Sequence, residues 1–297
     1  SQVAAALRGG SPAPLGGLEP RRIIAIGESQ SAFRLVTYVN AIHPLAGMYG
    51  GYFIHSRGGG SAQLSQSPQP VVNTPPTVFI REDVGVPVLT FQTETDLVNL
   101  GFLPARQLDT PRIRLWEVAG TAHADAYQSG LGFTDLGPAP LDITYAPSTS
   151  EPVPGIIVCN APVNQGPQQY VVIAALAALD RWVRGGRAPR RMPRLELEGG
   201  VYVTDEHGNV VGGVRTPQLD VPIATYSGLG QTGIAFCFLF GTTVKFDGAD
   251  LAFLYGSHDR YVALVKRAAR RAVRRGAVLA LDAKAIIAAA EASSIAE

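Results

Sequence analysis

The chain has 297 residues, 46% of them hydrophobic, with 25 basic side chains against 24 acidic ones. That is material for one large or two modest domains whose core needs no metal or disulfide to fold. A net charge of +1 gives no electrostatic reason to expect nucleic acid or an anionic membrane as partner, and the longest uninterrupted apolar run, residues 171–179, is too short to cross a bilayer.

In chain order, residues 21–27 (RRIIAIG) are a short apolar run ending in Gly, the pattern of a parallel strand buried on both faces. Residues 31–40 carry Phe33, Leu35, Val36 and Val39 at helix-like intervals, and Pro44 is expected to end the segment. Further strands are expected at 51–55, 86–91 and 113–119, joined by connections rich in Pro, Ser and Gln such as 58–76. This rhythm implies an α/β fold, a mostly parallel sheet flanked by helices. Residues 126–167 read as a long covering loop rich in Gly, Pro and Ser, and 168–183 as a helix stopped by Gly185 and Gly186. Residues 201–211 fit a β-hairpin turning at Gly208. Near the end, Tyr261, Leu264, Val265, Ala268, Ala269 and Ala272 form an apolar stripe, opposed by Lys266, Arg267, Arg270, Arg271, Arg274 and Arg275. Such segregation reads as a surface helix with a solvated cationic face. The expected organisation is a core over 1–190 that carries the chemistry and an extension over 191–297 packed on it.

The most informative residues are Gly27-Glu28-Ser29-Gln30-Ser31, placed between a strand and a helix. A G-x-S-x-G motif in that context makes a nucleophile elbow: the backbone reverses sharply, and the residues two positions either side must be small so that strand and helix can approach. Gly27 meets the demand, whereas Ser31 is small but departs from the usual second Gly. The bland alternative is a turn in which Ser29 or Ser31 merely caps the helix.

An acid and a histidine follow in the order Ser, acid, His that α/β-hydrolases use. Asp96 lies just beyond the strand at 86–91, and His123 just beyond the strand at 113–119. Serine Oγ is a poor nucleophile at neutral pH, so His123 would take its proton and a carboxylate would orient the imidazole. Asp96 is preferred for that role, and Glu94, two residues earlier on what is expected to be an extended segment, is the alternative acid. Asp125 is close enough to His123 to shape its loop instead. The backbone N–H of Gln30 would be one oxyanion donor. The second donor comes, in this fold, from a loop after an early strand, for which an elbow at residue 29 leaves no room. The chain is therefore expected to lack an N-terminal segment of the same fold, carried by a longer form or another polypeptide. Left bare, the strand at 23–26 would be an aggregation hazard.

The run 24–35 (IAIGESQSAFRL) resembles the nucleophile region of the large bacterial "alpha/beta hydrolase domain" proteins, a carboxylesterase-like group within the α/β-hydrolases. The resemblance continues through 55–59, 93–97, 116–125, 205–209, 212–217 and 237–242, and so spans nearly the whole chain. Its most specific parts surround Ser29 and His123, and Lys245 stands where the family is expected to have Pro. The resemblance implies a partial α/β-hydrolase fold and ester hydrolysis but supplies no substrate. The triad chemistry itself points to a small-molecule or polymeric ester and requires no cofactor, and His43, His207 and His258 are too scattered to suggest a metal.

Candidate pocket residues are Glu28 together with His55, Ser56 and Arg57 at a strand end, with Trp116, Tyr127, Phe133 and Tyr145 as candidate pocket aromatics. Arg215 suits an internal salt bridge or a substrate carboxylate. Cys159 and Cys237 permit one disulfide, which the sequence leaves open between a bridge and two free thiols. Acyl transfer on the same triad and a non-catalytic binding module remain as other functions. The chain reads as soluble and shows no signal peptide, and its localisation stays open, secretion of a longer form included.

Overall fold

The computed structural model describes residues 1–9, 14–130, 143–234 and 236–297. Two compact units share the chain. The first holds Ser1–Phe91, Leu100–Leu115 and Leu176–Arg191, and the second holds Gln92–Asn99, Trp116–Ala175 and Met192–Glu297.

Unit one opens with α1 (Gln2–Leu7), followed by β1 (Ile24–Glu28), α2 (Gln30–Thr37), α3 (His43–Ala46) and β2 (Gly51–His55). Then β3 (Val88–Thr93) and β4 (Ile113–Val118) begin in unit one and run their last residues into unit two. The four strands form a parallel sheet in the order β1-β2-β3-β4, with Glu28 opposite His55 and His55 opposite Phe91. Alternation sorts the side chains of β2. Tyr52 and Ile54 join Ala32 and Val36 of α2, Val39, Val88 and Ile113 in one buried cluster. Phe53 and His55 point to the other face, where both rings meet Phe91. On that face Gly51 leaves room for a helix: a Cβ there would come 2.5 Å from Val183.

The structure departs from the sequence expectation in two places here. β1 pairs with β2 alone among the described strands. Its Ala25 packs on the buried cluster, whereas Ile26, one residue on, faces away and is 59% exposed. The strand is therefore covered on one face, not both. Pro44 does not end the helical region either. A π-helical turn over Tyr38–Ile42 leads into α3, with Pro44 in its first turn, where a missing N–H costs no intrahelical bond.

Unit two contains α4 (Glu94–Val98), α5 (Ala126–Ser129) and the first half of α6 (Gln168–Val183), whose second half belongs to unit one. It continues with β5 (Leu197–Glu198), β6 (Val201–Tyr202), α7 (Pro217–Asp220), β7 (Ala224–Ser227) and β8 (Thr242–Lys245), and ends with α8 (Gly248–Tyr255), α9 (His258–Arg275) and α10 (Ala280–Ala292). The expected hairpin turns at Gly208, φ 76°, but only Thr204 and Val210 pair as an antiparallel bridge. Tyr202 pairs instead with Leu197, across a turn at Gly199 and Gly200. In α9 the apolar stripe is buried, while Arg271 pairs with Asp220 and Lys266 with Glu291. Of the expected covering loop, residues 131–142 lie outside the described residues, as does Phe133. No helix among the described residues is long and apolar enough to cross a membrane.

Candidate active site

Ser29 stands between β1 and α2 with φ 53° and ψ −121°, a backbone state that side chains other than glycine rarely adopt. Two hydrogen bonds hold it there: Ser29 N–H donates to His55 O at 3.1 Å, and Phe33 N–H donates to Ser29 O at 3.2 Å. The turn is tight enough that a Cβ on Gly27 would lie 2.7 Å from Ser31 O. The Ser29 hydroxyl does not cap α2, so the bland reading of this serine as a helix cap is not what the geometry shows. Gln30 is the first residue of α2, which places its N–H among those that a helix leaves without an intrahelical acceptor.

Around this turn, still in unit one, Glu28 Oε2 lies 3.8 Å from His55 Nδ1. Ser56 is fully buried with φ 54°, and its N–H donates to Phe91 O at 2.9 Å. Arg57 is 1% exposed; its guanidinium donates to Val78 O at 2.7 Å and lies 5.0 Å from the centre of the Phe102 ring. Burial pulls the pKa of Arg57 down to about 10.

In unit two, Asp96 and His123 are brought together. His123 Nδ1 lies 2.7 Å from Asp96 Oδ1, and Asp96 Oδ2 accepts the N–H of Thr93 at 2.7 Å. Asp96 is fully enclosed and His123 is 5% exposed. Facing a carboxylate that only accepts, a neutral imidazole would carry its proton on Nδ1 and turn the lone pair of Nε2 away from Asp96. Residues 94–98 form a helix, not the extended segment expected, and α4 turns Glu94 and Asp96 in different directions. Glu94 faces backbone donors: Gly120 N–H at 2.6 Å and Gly228 N–H at 2.7 Å. Burial outweighs these donors and pushes the Glu94 pKa up to about 7. Asp125 caps α5 by accepting from Gln128 N–H.

Of the remaining candidates, Arg215 makes internal ion pairs with Asp205 at 2.9 Å and Asp220 at 3.3 Å. Trp116 is buried, and the hydroxyls of Tyr145 and Tyr261 bond at 2.6 Å. Cys159 and Cys237 form a disulfide with Cα atoms 5.5 Å apart. No group of three or more His, Cys, Asp or Glu among the described residues could hold a metal ion.

Sequence reasoning missed several residues that hold His123 in place. Thr95 Oγ1 accepts the His123 N–H at 3.1 Å and donates to Gly228 O at 2.6 Å. Asn164, fully buried, donates to Gly120 O and Ser227 O. The only advance signal was Gly228 and Asn164 standing in loops, which marks neither.

The model of the family described as "Alpha/beta hydrolase domain" matches residues 1–288. No curated protein and no solved structure matches the chain. A match over nearly the whole length, on a chain with a parallel sheet flanked by helices, shows that this chain belongs to the alpha/beta hydrolase domain family, a membership that supports hydrolase activity in general.

Proposed function

We propose that the protein is a serine hydrolase that cleaves carboxylic esters through an acyl-enzyme. Ser29 is the nucleophile, His123 the general base and acid, Asp96 the carboxylate that orients His123, and the Gln30 N–H an oxyanion donor. The observation that carries this reading is the backbone of Ser29, held at φ 53° and ψ −121° at a strand-to-helix turn. Strained backbone at a serine is costly, and an elbow that presents the hydroxyl at a helix N-terminus gives that cost a purpose. The Asp96–His123 pair supports it, because an imidazole with its proton fixed on Nδ1 offers Nε2 as the base.

In the proposed cycle, Nε2 of His123 accepts the Ser29 proton as Oγ attacks the ester carbonyl. The imidazolium, stabilised by Asp96, returns the proton to the leaving alcohol as the tetrahedral intermediate collapses. Water then attacks the acyl-enzyme with His123 again as base, releasing the acid and free Ser29.

The test is labelling with a fluorophosphonate probe, followed by peptide mapping and p-nitrophenyl ester turnover. The expected result is one adduct on Ser29, with labelling and turnover both lost in Ser29→Ala. Ester turnover that survives Ser29→Ala unchanged overturns the proposal.

A further inference from the structure

Glu94 is fully buried, and each of its two carboxylate oxygens accepts a backbone N–H. One donor is Gly120, three residues before His123, and the other is Gly228. We infer that Glu94 is a positioning residue: its carboxylate ties the turn before His123 and the turn at Gly228 to the start of α4, and so holds His123 in hydrogen-bonding register with Asp96. The functional meaning of this rests on the hydrolase reading above.

The grip has several points. Glu94 N–H donates to Thr121 O at 3.2 Å while Gly120 N–H donates back to Glu94 Oε1 at 2.6 Å. The neighbouring Thr95 takes the His123 N–H on its hydroxyl. Residues 94 and 95 thus hold 120, 121 and 123, and Asp96, next on α4, meets the imidazole. Gly228 closes the other side, so near that a Cβ on it would come 2.6 Å from Glu94 Cβ. The ionised carboxylate is the form that satisfies both donors at once, because each oxygen faces an N–H. A glutamine of the same shape would keep one bond and aim its own N–H at the other donor. Among the described residues, the charge that acts on the carboxylate is Arg215, which favours the ionised form; Tyr202 donates its hydroxyl to the Glu94 backbone O at 2.7 Å, and Asp96 stands two residues on along α4, turned to His123.

The experiment is Glu94→Gln, read in two ways. Without substrate, the low-field proton resonance of the His123–Asp96 hydrogen bond is expected to move or broaden. With a p-nitrophenyl ester, kcat is expected to fall roughly tenfold or more with KM within about twofold, the mark of a misplaced reacting group. A folded variant with the wild-type resonance and kcat overturns the inference. If the variant does not fold, the wild-type protein decides. As pH is varied, the amide protons of Gly120 and Gly228 and the imidazole proton should shift with one shared midpoint. An imidazole proton that stays fixed while those amides move overturns it. The resonance needs no turnover, so a dispensable Ser29 would sink the hydrolase reading and leave Glu94 to be judged on the resonance alone.

Discussion

A methyl group on Gly27 would stand 2.7 Å from the carbonyl oxygen of Ser31. The methyl is fixed by the backbone that carries it and the oxygen belongs to the backbone, so neither can yield by rotating a side chain. Gly27→Ala must push α2 off β1, and Ser29 lies between the two. The expected outcome is a loss of about 1–3 kcal/mol in stability, as for an overpacked interior, together with much slower fluorophosphonate labelling of Ser29. Urea melts and labelling rates measure both. A variant with native melting and native labelling would show that the close approach does not set the elbow.

Asp96→Asn separates orientation from folding. The Asn oxygen can still accept the Thr93 N–H that Asp96 Oδ2 accepts at 2.7 Å, so α4 should keep its start. The new NH₂ would face His123 Nδ1, which must then give up its proton and move it to Nε2. A base with the wrong tautomer cannot take the Ser29 proton, and kcat is expected to fall by about three to four orders of magnitude. Near-native turnover in a folded Asp96→Asn protein would rule out Asp96 as the orienting acid.

The four strands of the parallel sheet were legible because each is a short run rich in apolar, β-branched or aromatic residues, whereas the short pair β7 and β8 was not foreseen. For residues 51–55 the expected and observed bounds coincide. Helix α6 was equally plain, its end marked by Gly185 and Gly186 beyond it. Helix α4 was not legible: five residues are too few to show a period, and only their hydrogen bonds mark a helix. The continuation through Pro44 depended on where proline falls in a helix, which composition does not reveal. The strand ends that carry Asp96 and His123 could be read from the sequence. The donors around Glu94 could not, since they lie 26 and 134 residues away. No local pattern encodes a contact of that range.

The Cys159–Cys237 disulfide joins residues 78 apart in sequence, between segments that also share the buried cluster of Ala126, Ile143, Val163 and Phe240. Closing so long a loop restricts the unfolded chain, a stabilisation of about 2–4 kcal/mol in measured cases. Cys159→Ser with Cys237→Ser is therefore expected to lower the melting temperature while Ser29, on a different unit, keeps its labelling rate well below the transition. Calorimetry of the reduced and oxidised protein gives the first quantity and the probe gives the second. An unchanged melting temperature would mean that the bridge constrains nothing that the cluster does not already hold.

The buried carboxyl of Glu94 should leave a signature in stability against pH. Its pKa rises from an ordinary 4.5 to about 7 in the folded protein, chiefly through burial, with the Gly228 and Gly120 N–H groups and the Arg215 charge opposing the rise. Between those two values the folded state keeps a proton that the unfolded chain has released, so stability falls as pH rises. The contribution is fully present below pH 4.5, is lost across the interval, and is absent above about pH 7. The gap corresponds to about 3 kcal/mol. Glu94→Gln cannot titrate there, so the wild-type stability minus that of the variant is expected to drop by about this much between pH 4.5 and pH 8, read from urea unfolding at several pH values. Titrating groups that the substitution leaves undisturbed cancel in the difference, and the same comparison made in a His123→Ala background removes the one it is expected to disturb. A difference that stays constant across the interval would place the Glu94 pKa near its ordinary value, with the two backbone donors outweighing burial.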